Sequence, residues 1–202
     1  MKKYDRCQKH APVVRQPTEM LTSINSPIPF SMWGMDILGT FPVATTQRKF
    51  LIAAIDYFTK WIEAKPLARI ATEQVAQFLC KNIMCRYGIA RILVTDNGTQ
   101  FNNEKFKKYC DENDIKLHFI LATHHQAYRQ AEVANQLIKD GLKKRVERSR
   151  NAWVDELLPI LWAYRATCKV TTGETSFMLV YGAEVVVPVE IIHTIPRVEA
   201  FD

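Results

Sequence analysis

The chain has 202 residues, 48% of them hydrophobic and 24% charged, the balance of a soluble globular domain that can bury a core without cross-links. No window approaches the roughly eighteen apolar residues of a membrane span, and Met1-Lys2-Lys3 is not followed by an apolar run, so neither a membrane partner nor a signal peptide is expected. A net charge of +6 and a pI near 9.1 favour a polyanionic partner over a small-molecule substrate.

Residues 1–30 carry Pro12, Pro17, Pro27 and Pro29 with few apolar clusters, and read as an extended lead-in. Trp33 to Leu38 alternates around Gly34 and Asp36. FLIAAIDY, residues 50–57, is nearly continuous apolar, as a buried strand is, and Trp61 to Leu67 makes a third strand after a tight connection. Thr72 is a candidate N-cap for a helix that keeps Val75, Phe78, Leu79, Ile83 and Met84 in helical spacing and stops at Gly88. Ile92–Val94 is a fourth strand, Asn103–Glu112 a helix and Ile115–Ile120 a fifth strand. A long amphipathic helix is expected from about Gln130 to Arg148 and another from Trp153 to Ala166. The tail from Lys169 reads as irregular, with SFMLVYG and VVVPVEII as apolar patches. The order predicts an α/β fold with a five-stranded mixed sheet, antiparallel at one side, parallel at the other and flanked by helices. The domain expectation is a lead-in over 1–30, a core over 31–150, and a helical extension with an irregular tail over 151–202.

The five cysteines, Cys7, Cys80, Cys85, Cys110 and Cys168, are odd in number and lack C-x-x-C spacing. They read as reduced, mostly buried thiols of an intracellular protein.

Three acids stand out. ILVTDNGTQF, residues 92–101, ends an apolar strand on Asp96 and turns at once through Asn97-Gly98. A solvated turn aspartate is one reading. The other is a ligand at the carboxyl end of a parallel strand, where sites gather. Asp36, set among apolar residues, must be ion-paired, hydrogen-bonded or metal-bound if ionised. Asp56 stands just before the hairpin, where a turn or capping role suits it better. Glu132 heads a helical stripe with Gln136, Lys139 and Lys143, opposite Val133, Ala134, Leu137, Ile138 and Leu142. This stripe is either a solvated face or a basic ridge. Between Asp36 and Asp96 lie 59 residues, and between Asp96 and Glu132 lie 35. Convergent carboxylates suit hard divalent cations, and two such ions beside a basic ridge suit a phosphodiester.

WGMDILG, AIDYFTKWIEA, ILVTDNGTQF and then QAEVANQ at the 35-residue spacing resemble retroviral and retrotransposon integrases, most nearly the gypsy type found in plants. The resemblance runs from about residue 4 to residue 192. It implies a ribonuclease H-like fold and transfer of DNA strands. It makes Asp36, Asp96 and Glu132 the catalytic, metal-binding acids for Mg²⁺ or Mn²⁺, two ions in all. Asp36 with Asp96 would hold one, and Asp36 with Glu132 the other. Gln136 and Lys139 match helix positions that meet element DNA; Lys143, Lys144 and Arg145 extend that surface. Element ends and target DNA are the implied partners, with a homo-oligomer and a nuclear location for a functional protein.

The sequence departs from the family at two places. Tyr4 stands where the zinc module has its first closing cysteine, so Cys7 and His10 are too few for structural zinc, and none is expected. The loop before Glu132 reads His125-Gln126-Ala127-Tyr128-Arg129-Gln130, without the family's asparagine and glycine. The chain also stops before the usual C-terminal module. Three functions compete: the integrase itself, impaired or not; a catalytically inactive fragment that binds DNA through Lys139, Lys143, Lys144, Arg145, Arg148 and Arg150 and multimerises; and a nuclease for RNA–DNA hybrids, which the acid spacing disfavours.

Overall fold

Five apolar-rich stretches become strands, and their pairing follows from the connections between them. A computed structural model describes residues 26, 28–44, 47–119, 135, 136, 138 and 153–182. The strands are β1 (Met32–Gly39), β2 (Phe50–Asp56), β3 (Ile62–Leu67), β4 (Ile92–Thr95) and β5 (Lys116–Phe119). They form one sheet in the order β3-β2-β1-β4-β5. Short connections make β1, β2 and β3 antiparallel, and helical crossovers make β4 parallel to β1 and β5 parallel to β4. Pro66, which cannot donate to a ladder, sits on the edge strand β3.

The helical segments are α1 (Thr72–Phe78), a π-helical stretch (Leu79–Met84), α2 (Cys85–Tyr87), α3 (Glu104–Glu112), α4 (Leu157–Ala166) and α5 (Ser176–Tyr181). Among the described residues no helix is long and apolar enough to cross a membrane. Strand alternation divides the core between the two faces of the sheet. Trp33, Met35, Ile52 and Ala54 pack with Val75, Phe78, Leu79, Phe101 and Phe106. Leu38, Leu51, Ala53 and Ile55 pack with Ile138, Trp153, Leu157 and Leu161.

Several expectations change. Thr72 is not an N-cap: Ala71 holds that position with no side-chain bond, and the Thr72 hydroxyl instead accepts from Asn103 Nδ2 at 3.0 Å. Asn103 is a true N-cap, accepting from Phe106 N at 2.9 Å. The helix expected from Trp153 starts at Leu157, after turns over 153–156. Pro159 explains this, because its ring tolerates only the first turn of a helix. The tail is not irregular at SFMLVYG. Thr175 caps α5 by accepting from Met178 N, and Gly182 closes it in the left-handed conformation. The thiols are not mostly buried: of the four described, only Cys110 is, with Cys80 intermediate and Cys85 and Cys168 exposed. VVVPVEII lies outside the described residues. Within the expected lead-in, Phe30 stacks on Tyr87 at 4.9 Å between ring centroids, which ties that end to the core.

Asp56 takes the capping role. It is fully buried and accepts from Phe30 N, Thr59 N and Thr59 Oγ1 at 3.0, 2.8 and 2.7 Å. Burial raises its pKa against the lowering effect of those bonds.

A second buried acid fixes α4 on the sheet. Glu63, 3% exposed, accepts from Trp61 Nε1 at 2.9 Å and from the Tyr87 hydroxyl at 2.6 Å. It also pairs with Arg86 at 2.9 Å and Arg165 at 3.0 Å. Arg165 donates as well to the Ile62 carbonyl and lies 4.3 Å from the Trp61 ring centroid. Burial raises the Tyr87 pKa, with the bond to Glu63 adding to it, and burial lowers that of Arg165.

Candidate functional site

The parallel pairing of β1 with β4 sets the geometry of the first two acids. Met35 pairs with Thr95 as the last rung of that ladder. Asp36 and Asp96 are the next residue of each strand path, so they stand side by side, with Cα atoms about 5 Å apart by ordinary strand spacing. Both are half-buried. Asp36 is also opposite Ala53 of β2, on the face that carries Leu38, Ala53 and Ile138.

Asp36 is held from two directions. Its Oδ1 accepts from Ile37 N at 2.7 Å, and its Oδ2 accepts from Asn135 Nδ2 at 2.7 Å. Asp96 keeps the turn bond anticipated for an Asp-Asn-Gly sequence: its Oδ1 accepts from Gly98 N at 3.1 Å. The turn bond is compatible with the ligand reading, since a carboxylate has two oxygens with several acceptor positions.

Asn135, Gln136 and Ile138 are helical. Gln136 is exposed, as the polar stripe requires, while Asn135 at 6% and Ile138 at 0% are buried against the sheet. Glu132 lies outside the described residues, as do Lys139, Lys143, Lys144 and Arg145 and the 125–130 loop. The structure thus brings Asp36 and Asp96 together and seats the helix of Asn135 over Asp36. It does not describe where the third acid or the basic ridge lies.

Sequence reasoning missed Asn135. Its signal was present in QAEVANQ, where a polar amide stands next to Gln136 within the quoted motif. It also missed the Glu63 cluster, whose partners are scattered from residue 61 to residue 165.

The site's donor set fits a hard divalent cation, since two adjacent carboxylates offer oxygen ligands held by backbone and amide bonds. Among the described residues no three of His, Cys, Asp and Glu gather as a metal-holding group.

Comparison with known proteins adds a family and a fold. Residues 26–125 match the family model described as the integrase core domain. The chain is 33% identical over 156 residues to the Gag-Pol polyprotein of feline leukemia virus, covering 77% of this chain and 9% of that one. It is 23% identical over 176 residues to the gypsy retrotransposon integrase-like protein 1 of Bos taurus, covering 87% and 34% respectively. The chain therefore spans a minor part of the curated relatives it matches. Among solved structures, the HTLV-2 integrase catalytic core domain in complex with magnesium, in a trimeric form, aligns with a TM-score of 0.60 at 20% identity. That alignment covers 76% of this chain and 98% of that one. The sheet and its flanking helices are a ribonuclease H-like fold.

Proposed function

The chain belongs to the retroviral integrase superfamily through its integrase core domain, and from that premise we propose that it trims the 3′ ends of element DNA and joins them to target DNA. The observation that supports this reading is the Met35–Thr95 rung between parallel β1 and β4, after which Asp36 within β1 and Asp96 just past the end of β4 are the next residues on each side. Asp36, Asp96 and Glu132 act as the catalytic acids and hold Mg²⁺ or Mn²⁺, two ions in all. The magnesium named for the HTLV-2 core agrees with that choice. Such ions supply Lewis-acid activation of the attacking and departing oxygens.

The chain's own contribution is positioning. Asn135 and the Ile37 amide orient the Asp36 carboxylate, and the Gly98 amide orients that of Asp96. The nucleophile is water in the first step and the new 3′-hydroxyl in the second, so no side chain needs to form a covalent intermediate. Gln136, Lys139, Lys143, Lys144 and Arg145 form the ridge that receives the DNA backbone. The trimeric form named for the HTLV-2 core is in keeping with a homo-oligomer.

The test is strand transfer of a labelled element-end oligonucleotide with Mg²⁺ or Mn²⁺, against an Asp96→Asn control. Metal-dependent joining that the control lacks is the expected result; joining that survives in Asp96→Asn removes the acid from the mechanism.

One sequence observation favours a second reading, DNA binding without efficient catalysis. Tyr128-Arg129 replaces the family's asparagine and glycine shortly before Glu132, where glycine would free the backbone to approach a ligand. If this loop is the defect, Tyr128→Asn with Arg129→Gly restores strand transfer while DNA affinity stays nearly constant.

A further inference from the structure

Cys80 and Cys85 are five residues apart, and their sulfur atoms are 4.0 Å apart. In an α-helix a five-residue separation turns the side chains about 140° away from each other. Here the intervening stretch is π-helical, and Cys85 N donates to the Cys80 carbonyl, so one wide turn returns the chain to the same side. Cys85 is exposed and Cys80 partly so, which leaves the pair open to a small reagent. Both cysteines are free.

We propose that Cys80 and Cys85 form a reversible dithiol–disulfide site, oxidised by low-molecular-weight disulfides and reduced again by thiols. The deprotonated Cys85 sulfur attacks one sulfur of the reagent. The reagent's S–S bond breaks, and its first half leaves as a thiolate that takes up the proton Cys85 lost. The deprotonated Cys80 sulfur then attacks Cys85 Sγ, forms the Sγ–Sγ bond and expels the second half as a thiol. The chain loses two protons and two electrons, and the reagent gains both.

The neighbouring thiol matters to the resting state. The bond with Cys80, the Coulombic effect of Cys80 and burial, in that order, raise the Cys85 pKa. The shift favours the Cys85 thiol over its thiolate, and the pair's advantage over a lone cysteine is the second, intramolecular step. The site also adjoins the buried acid cluster, because Arg86 and Tyr87, which hold Glu63, directly follow Cys85. Closing the bond fixes the turn from which those two side chains project.

Trypsin gives a clean readout, since Lys81 separates the two cysteines. The whole chain is equilibrated with mixtures of oxidised and reduced glutathione, alkylated and digested without reductant. The expected product is peptide 70–81 joined to peptide 82–86 by a bond that dithiothreitol removes. It should appear at about ten-fold less oxidant than the glutathione adduct of exposed Cys168, as intramolecular closure implies. In Cys85→Ser, Cys80 should carry a stable glutathione adduct instead. The proposal is overturned if both cysteines carry separate adducts, if either pairs mainly with Cys7, Cys110 or Cys168, or if Cys168 reacts while the pair stays reduced. As an independent check, oxidation should shift the thermal midpoint of the parent chain and leave that of Cys85→Ser unmoved; equal shifts in both would also overturn it.

Discussion

Asn135 donates its side-chain amide to Asp36 Oδ2 at 2.7 Å, across 99 residues of sequence. The contact joins the helix that follows the 125–130 loop to the middle strand of the sheet, and it orients one of the two adjacent acids. Removing the amide takes away one of the bonds that orient the carboxylate, leaving that from Ile37 N. On the proposed function, Asn135→Ala should lower strand transfer by about 10- to 100-fold, the usual effect of losing a partner that orients a metal ligand. It should also raise the Mg²⁺ concentration needed for half-maximal rate. Activity titrated against Mg²⁺ is the measurement, with Asn135→Gln as the variant that keeps the donor. Unchanged metal dependence in Asn135→Ala would reject the positioning role.

Asp56 caps the β2–β3 hairpin with three accepted hydrogen bonds while fully buried. Asp56→Ala leaves the Phe30 and Thr59 amides and the Thr59 hydroxyl without this acceptor. The expected loss is about 2–4 kcal/mol, from several unsatisfied buried donors. Urea unfolding followed by tryptophan fluorescence measures it. A loss below about 1 kcal/mol would mean that water replaces the carboxylate at little cost.

Glu63 sits between two arginines at 3% exposure. Truncation to alanine strands the Arg165 guanidinium, itself largely buried, without its carboxylate. Breaking such a pair from one side costs about 3–5 kcal/mol. Glu63→Ala should therefore lower the urea midpoint strongly. Glu63→Ala combined with Arg165→Leu should recover part of the loss, because no buried charge is then left unpaired. A double variant no more stable than the single one would contradict this account.

Lys169 gives a pH signature. Burial pulls its ammonium down to about 8 from 10.5, although its Nζ donates to the Tyr164 carbonyl and stands over the Tyr164 ring. The unfolded chain then binds this proton more tightly than the folded one. Stability from this group is absent below about pH 8 and grows as pH rises toward 10.5. Urea midpoints recorded from pH 7 to 10 should rise more in the parent chain than in Lys169→Met. Parallel curves would mean that the lysine titrates normally.

Much of the sheet was legible because periodicity reports burial. FLIAAIDY reads as a strand buried on both faces because β2 lies between β1 and β3. Asp36 and Asp96 were legible because an acid ending or interrupting an apolar run needs a reason. Contacts that depend on where distant segments meet were not: Arg165 reaches Glu63 across about a hundred positions, and no local pattern announces it. The cysteine pair was hidden for a different reason. Helical spacing assumes 3.6 residues per turn, and the π-helical stretch breaks that assumption between Leu79 and Met84. In α5, by contrast, the signals were local and present. Thr175 and Gly182 bracket the helix, but six residues are too short for periodicity to speak.

The rung that pairs Met35 with Thr95 also bears on the order in which the protein matures during synthesis. The β1–β2–β3 meander joins neighbouring segments and can zip as soon as residue 67 leaves the ribosome. β4 must be made, and the helical crossover closed, before it can add to the far side of β1, a slower event because the loop is long. Asp36 therefore waits in a finished hairpin for a neighbour some sixty residues behind it in the queue. A nascent chain halted before Ile92 has a β-hairpin core but lacks one of the two neighbouring acids, so the candidate site is completed after the first folded structure rather than with it.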